Sequence, residues 1–152
     1  MAITLSQKEK MLLQDEKSHE ELCIRKYNDY ANKAQDSQLK QIFKANENDE
    51  RSHLNSINQL LSGNVPQMNA QNQNSQSNMN NMQSVSSNMS DKEMCEDVLT
   101  TEKYVSGTYD TAIFEFRDTG ARDVLNHIQK EEQKHGEAVF KYMESKGMYN
   151  VQ

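Results

Sequence analysis

Glu50-Arg51-Ser52-His53 and, 82 residues further on, Glu132-Gln133-Lys134-His135 decide how this chain is read. Each quartet places a carboxylate and an imidazole at i and i+3, on one helix face about a turn apart. The same shift of 82 residues lays Glu20 on Glu102, Tyr27 on Tyr109 and Asp36 on Asp118 without a gap. Ile42 falls on Val124 and Phe43 on Leu125. Duplication of a helical hairpin accounts for the apolar matches. It leaves open why polar residues recur at positions where a core is expected.

Working outward, the quartets sit in two segments separated by the stretch 62–90. That stretch has no charged residue, is mostly Asn, Gln, Ser and Met, and carries the one proline, Pro66. It buries too little apolar surface to fold alone, so it reads as a connection, with Asn/Gln-mediated self-association as the alternative. The first hairpin covers about 7–61 and the second about 91–147, within one domain of 152 residues. The first helix, Gln7 to Ala34, opens on a capping box at Ser6 and Glu9. A polar break at Gln35-Asp36-Ser37 leads to a second helix, Gln38 to Leu61, closed by Gly63. A second capping box, Ser90 and Glu93, opens a third helix that runs to about Arg117. Asp118-Thr119-Gly120 reads as a turn before a fourth helix, Ala121 to Ser145. Short turns within each half make antiparallel neighbours. The long middle connection lets the third helix start at the far end of the bundle.

On the apolar stripes of these helices six ionisable side chains point inward. Glu20 lies seven residues from both Leu13 and Tyr27, Glu50 and His53 lie between Phe43 and Ile57, and Glu102, Glu132 and His135 repeat the arrangement. In an antiparallel pair, residues equidistant from the turn lie side by side. Both hairpins then bring their carboxylates and imidazole to one level near the middle. Four carboxylates in a dry interior repel one another and lose hydration, at a cost of about several kcal/mol each. No Lys or Arg sits centrally on the stripes. One glutamate from each of two helices plus Glu-x-x-His from each of the other two is the pattern of di-metal carboxylate bundles. Two divalent cations would balance the four charges, with Tyr27 and Tyr109 placed to hydrogen-bond the ligands. Fe and Mn suit such a donor set, and Zn is accepted by it too. The alternative is a metal-free seam in which protonated glutamates pair with His and Tyr. A third Glu-x-x-His, Glu16 to His19, has Val98 and Thr101 as repeat mates and reads as chance. His19 and His127 read as surface residues, and Cys23 as core.

Composition narrows the function classes. With 34% hydrophobic and 26% charged residues the chain favours helices with polar connections. A net charge of −6 argues against binding nucleic acid, and no stretch is apolar enough to span a membrane. The N-terminal residues lack a signal-peptide run, so synthesis in the cytosol is expected, with Cys23 and Cys95 as free thiols.

The Glu…Tyr…Glu-x-x-His layout of both halves resembles the ferritin-like superfamily, including rubrerythrins and bacterioferritins. The second half is similar to the coat F family of spore-forming Firmicutes. That likeness is carried by Glu102-Lys103-Tyr104-Val105, Tyr109-Asp110-Thr111-Ala112 and the ending Tyr142-Met143-Glu144-Ser145-Lys146-Gly147-Met148-Tyr149. The resemblance implies an all-α, ferritin-like antiparallel four-helix bundle and a place in or around the spore coat, among other coat proteins or in self-association. It puts Glu20, Glu50, His53, Glu102, Glu132 and His135 on the superfamily's ligand positions. The interval from the lone glutamate to Glu-x-x-His is a few residues shorter than in ferritins, which implies a trimmed hairpin.

Overall fold

The computed structural model describes residues 1–67 and 89–152, so most of the low-charge connection, and any association through it, lies outside the described residues. Four helices make up the fold: α1 (Gln7–Lys33), α2 (Ser37–Leu61), α3 (Asp91–Glu115) and α4 (Thr119–Ser145). Their starts follow from local chemistry. Ser6 and Glu9 make the full reciprocal capping box at α1. At α3 only half of it forms: Ser90 accepts from the Glu93 amide, while the Glu93 carboxylate takes the Ser90 hydroxyl instead of the backbone N–H. The repeat mates Asp36 and Asp118 cap α2 and α4, accepting from Gln38 and Ala121 at 2.8 Å. Because Asp118 caps, Thr119 and Gly120 already belong to α4, where a turn was expected. Phe116, extended and fully buried, ends α3 a turn's fraction before Arg117.

α1 packs on α2 and α3 on α4, and the hairpins join through α1 against α3 and α2 against α4. The joining contacts run antiparallel. Lys26 of α1 meets Asp97 while Glu16 meets Thr108, and His53 of α2 meets Glu131 while His135 meets Asp49. α2 and α3 therefore point the same way, and the end of α2 and the start of α3 lie at opposite ends of the bundle. The start of α3 sits at the α1–α2 turn, where Asp91 accepts from the Gln35 and Asp36 amides at 2.8 and 3.1 Å. The end of α2 sits at the opposite end against the N-terminal residues. There Ile3 donates to the Gly63 carbonyl at 2.7 Å, and Gly63 has φ +81° with Ile3 O where a Cβ would press. Glycine relieves both constraints.

The interior divides into two apolar clusters with a polar layer between them. One holds Leu13, Ile57, Leu60, Phe116, Leu125 and Ile128; the other holds Tyr27, Phe43, Met94, Val98, Val139 and Met143. Ala31, Ile42 and Ile113 are only partly buried and flank these clusters. Among the described residues no helix is long and apolar enough to cross a membrane.

Candidate metal centre

All six side chains singled out by the repeat meet in the polar layer. Glu20, Glu50 and Glu132 are 0% exposed, and Glu102, His53 and His135 no more than 3%. Two sets of four form, Glu20, Glu50, His53 and Glu132, and Glu50, Glu102, Glu132 and His135. In each, one donor atom per residue lies within 4.8 Å of all the others. Glu50 and Glu132 belong to both sets, so they sit between two positions, each finished by its own histidine and its own lone glutamate.

Contacts cross between hairpins in reciprocal pairs. Tyr27 donates to Glu102 at 2.5 Å and Tyr109 to Glu20 at 2.6 Å. His53 Nδ1 lies 3.1 Å from Glu132 and His135 Nδ1 2.9 Å from Glu50. The two imidazoles stack with centroids 5.8 Å apart. Each ring turns Nδ1 inward and Nε2 outward. His53 Nε2 meets Glu131 at 3.3 Å and His135 Nε2 meets Asp49 at 3.0 Å. Such outer carboxylates fix a ring's tautomer and orientation and leave the inner nitrogen for coordination. Asp49 and Glu131 went unnoticed in the sequence reading, although an acid directly precedes Glu-x-x-His in both halves. His127, read as a surface residue, is half exposed and pairs with Glu131 at 2.9 Å. Cys23 is buried and unligated by disulfide, as is Cys95.

Protonation reflects the crowding. Burial, then the charge of Glu20, raises Glu50 to about 7. Burial and a hydrogen bond shared with Glu132 raise Glu102 to about 8, and burial raises Glu20 too. Glu132 resists burial, because hydrogen bonds from Glu102 and both imidazoles hold it below the ordinary carboxylate range. Burial disfavours charge on His53, but Glu131, Glu132, Glu20 and Glu50 outweigh it and raise its proton affinity well above normal. His135 behaves alike, through Asp49, Glu102, Glu132 and Glu50. His53 in return holds Glu131 down to about 2.

Even so the layer is incomplete. Glu20, Glu50, Glu102 and Glu132 each keep one buried oxygen, Oε2, with no hydrogen-bond partner in the protein. A buried unsatisfied acceptor costs about 1–3 kcal/mol, more when charged. Four such oxygens converging with two imidazole nitrogens suit the donor set of Fe, Mn or Zn.

One reading from sequence changes. Glu16, taken as chance, is 2% exposed and lies beside the centre, where burial and the charges of Glu20 and Glu132 help raise it to about 8 although Thr108 hydrogen-bonds it. Its partner His19 is partly buried, its side chain 21% exposed. The missed signal is register: Glu16 lies one turn before Glu20, on the same side of α1.

Comparison with known proteins agrees with this architecture. No curated protein matches the chain. A crystal structure of a two-domain protein from Anabaena variabilis, containing DJ-1/ThiJ/PfpI-like and ferritin-like domains, superposes with a TM-score of 0.71 at 15% identity. The match covers 95% of this chain and 38% of that one, so the chain spans well under half of that protein's length. At that identity the likeness speaks to fold alone. Residues 90–152 match the family model of the Coat F domain. The chain thus has a ferritin-like, all-α four-helix bundle fold, and its second hairpin resembles the Coat F domain.

Proposed function

We propose that this is a spore-coat-associated ferritin-like protein that holds two divalent transition-metal ions, iron or manganese, in the polar layer. The observation that carries the reading is the set of four buried Oε2 atoms, on Glu20, Glu50, Glu102 and Glu132, that have no hydrogen bond. Glu20 and His53 would finish one position, Glu102 and His135 the other, with Glu50 and Glu132 shared between them. Two dications balance four carboxylates, and that balance suits an interior where no Lys or Arg is buried among the described residues. The outer carboxylates Asp49 and Glu131 would orient the imidazoles, while Tyr27 and Tyr109 would hold the terminal glutamates. Bound iron or manganese supplies redox chemistry toward dioxygen or peroxide. Coat association rests on the Coat F match over 90–152, and the partners would be other coat proteins or further copies of this chain.

A second reading, a metal-free structural coat protein, draws on the Tyr–Glu and His–Glu hydrogen bonds that already join the hairpins. Metal content separates the two. Protein purified without chelator should carry close to two equivalents of metal, and a Glu50→Ala/Glu132→Ala variant close to none. Metal-free wild type that takes up no Fe²⁺, Mn²⁺ or Zn²⁺ on titration refutes the first reading in favour of the second.

A further inference from the structure

The 82-residue repeat makes the two faces where α1 meets α3 comparable, position by position, and they differ. On one face Lys26 lies over the crevice lined by Cys23, Tyr27, Val98 and Glu102. Its ammonium binds both oxygens of Asp97 at 3.1 and 3.0 Å and the Thr101 hydroxyl at 3.0 Å, and Tyr30 also donates to Asp97. A fixed cation above Glu102 repels an approaching dication. On the other face the mate of Lys26 is Thr108, and the mates of Val98 and Thr101 are Glu16 and His19. A hydroxyl stands in place of the ammonium, a carboxylate in place of the apolar residue and an imidazole in place of the threonine.

The atoms on that second face form a small triangle. Glu16 Oε2 lies 3.2 Å from Thr108 Oγ1 and 3.5 Å from His19 Nδ1, and the latter two are 3.4 Å apart. Three ligands on one face of a tetrahedral ion at about 2.1 Å stand about 3.4 Å apart. The one hydroxyl hydrogen of Thr108 has two acceptors within reach, Glu16 at 3.2 Å and the Val105 carbonyl at 2.7 Å. Exposure falls stepwise inward, from Asp15 on the surface to His19 partly covered, Glu16 at 2% and Glu20 at 0%. Spacing and gradient together describe a path for a cation.

We propose that Glu16, His19 and Thr108 form a third cation site, a staging position through which divalent ions reach the Glu20/His53 side of the centre. The inference rests on the two-metal reading and adds a direction to it: loading is one-sided, because Lys26 closes the corresponding face. Focusing of charge at such a site raises association rates by about 10- to 1000-fold.

The repeat supplies its own substitutions. Glu16→Val and His19→Thr install the residues that the other half carries at those positions, and Lys26→Thr removes the ammonium. Stopped-flow absorbance of Co²⁺ uptake by metal-free full-length protein reads rate and final stoichiometry separately. Glu16→Val and His19→Thr should still end with two Co²⁺ bound but load at least about tenfold more slowly. Lys26→Thr should load no more slowly than wild type. Unchanged rates in both Glu16→Val and His19→Thr, with two ions bound, overturn the staging site and leave the centre intact. Slower loading in Lys26→Thr alone assigns the path to the other face and overturns it as well. Absence of any Co²⁺ uptake by wild type overturns the two-metal reading, and the staging site with it.

Discussion

Replacing both shared carboxylates by amides, Glu50→Gln with Glu132→Gln, separates stability from function. Each residue is fully buried with one oxygen that has no hydrogen bond, and the pair sits between Glu20 and Glu102 in a layer where four acids crowd. The amides keep the shape, remove two ionisable groups and offer N–H donors to the neighbouring carboxylates. The imidazoles are not stranded, since His53 keeps Glu131 and Glu20 while His135 keeps Asp49 and Glu102. Relief of the two orphaned oxygens is worth about 1–3 kcal/mol, and buried charge replaced by a neutral group of equal volume is often neutral or stabilising. In chelator the double variant should therefore be more stable than wild type by about 1–3 kcal/mol, or about 2–4 °C in Tm for each kcal/mol. With Mn²⁺ at a hundred times its dissociation constant, wild type should gain about 2.7 kcal/mol at each of its two sites and the variant nothing. The order of the two proteins should thus reverse when metal is added. Urea and thermal unfolding followed by circular dichroism, with chelator and with Mn²⁺, provide the four numbers. A variant less stable than wild type in chelator, or stabilised equally by Mn²⁺, refutes the reasoning.

Other expectations concern the surroundings of the centre. Glu16 and Glu102, raised to about 8, and Glu50, raised to about 7, keep protons in the folded chain that the unfolded chain releases above about 4.5. Their stabilisation is full below that value and lost as pH climbs to about 8, by up to about 1.4 kcal/mol per pH unit for each group. Metal-free protein should therefore melt lower at pH 8 than at pH 6, and a flat or rising Tm contradicts the assignment. Tyr27→Phe and Tyr109→Phe each remove a buried hydroxyl donating to a carboxylate, and each should cost about 1.5–3 kcal/mol in metal-free unfolding. Similar costs are expected because the two bonds are repeat mates, so a loss confined to one refutes their equivalence. Asp49→Asn and Glu131→Gln leave all six central side chains in place but should weaken Mn²⁺ binding about 10- to 100-fold by calorimetry. Unaltered affinity in both removes the outer carboxylates from the account.

Helical period and an exact repeat register made much of this legible before any coordinates. Glu20, Glu50, His53 and their mates share stripes with Leu13, Tyr27 and Phe43, and spacing alone brought them to one level. What escaped was set by neighbours across the bundle. Glu16 is buried because α3 presents Thr108 to it, a fact of packing that the pattern of α1 does not hold. Asp49 and Glu131 lie off the stripes and gain their role only once His53 and His135 turn Nε2 outward. The start of α4 shifted because an Asp cap counts Thr119 and Gly120 as helix. The Ser90 box closed by half because Glu93 found the hydroxyl before the amide.

The central claim is that the buried carboxylates exist to hold ions, and diffraction at a metal absorption edge tests it most directly. Crystals grown with excess Mn²⁺ or Fe²⁺ should show two anomalous peaks, one among Glu20, Glu50, His53 and Glu132 and one among Glu50, Glu102, Glu132 and His135. An empty polar layer in such crystals, with its glutamates still sharing protons, would contradict it.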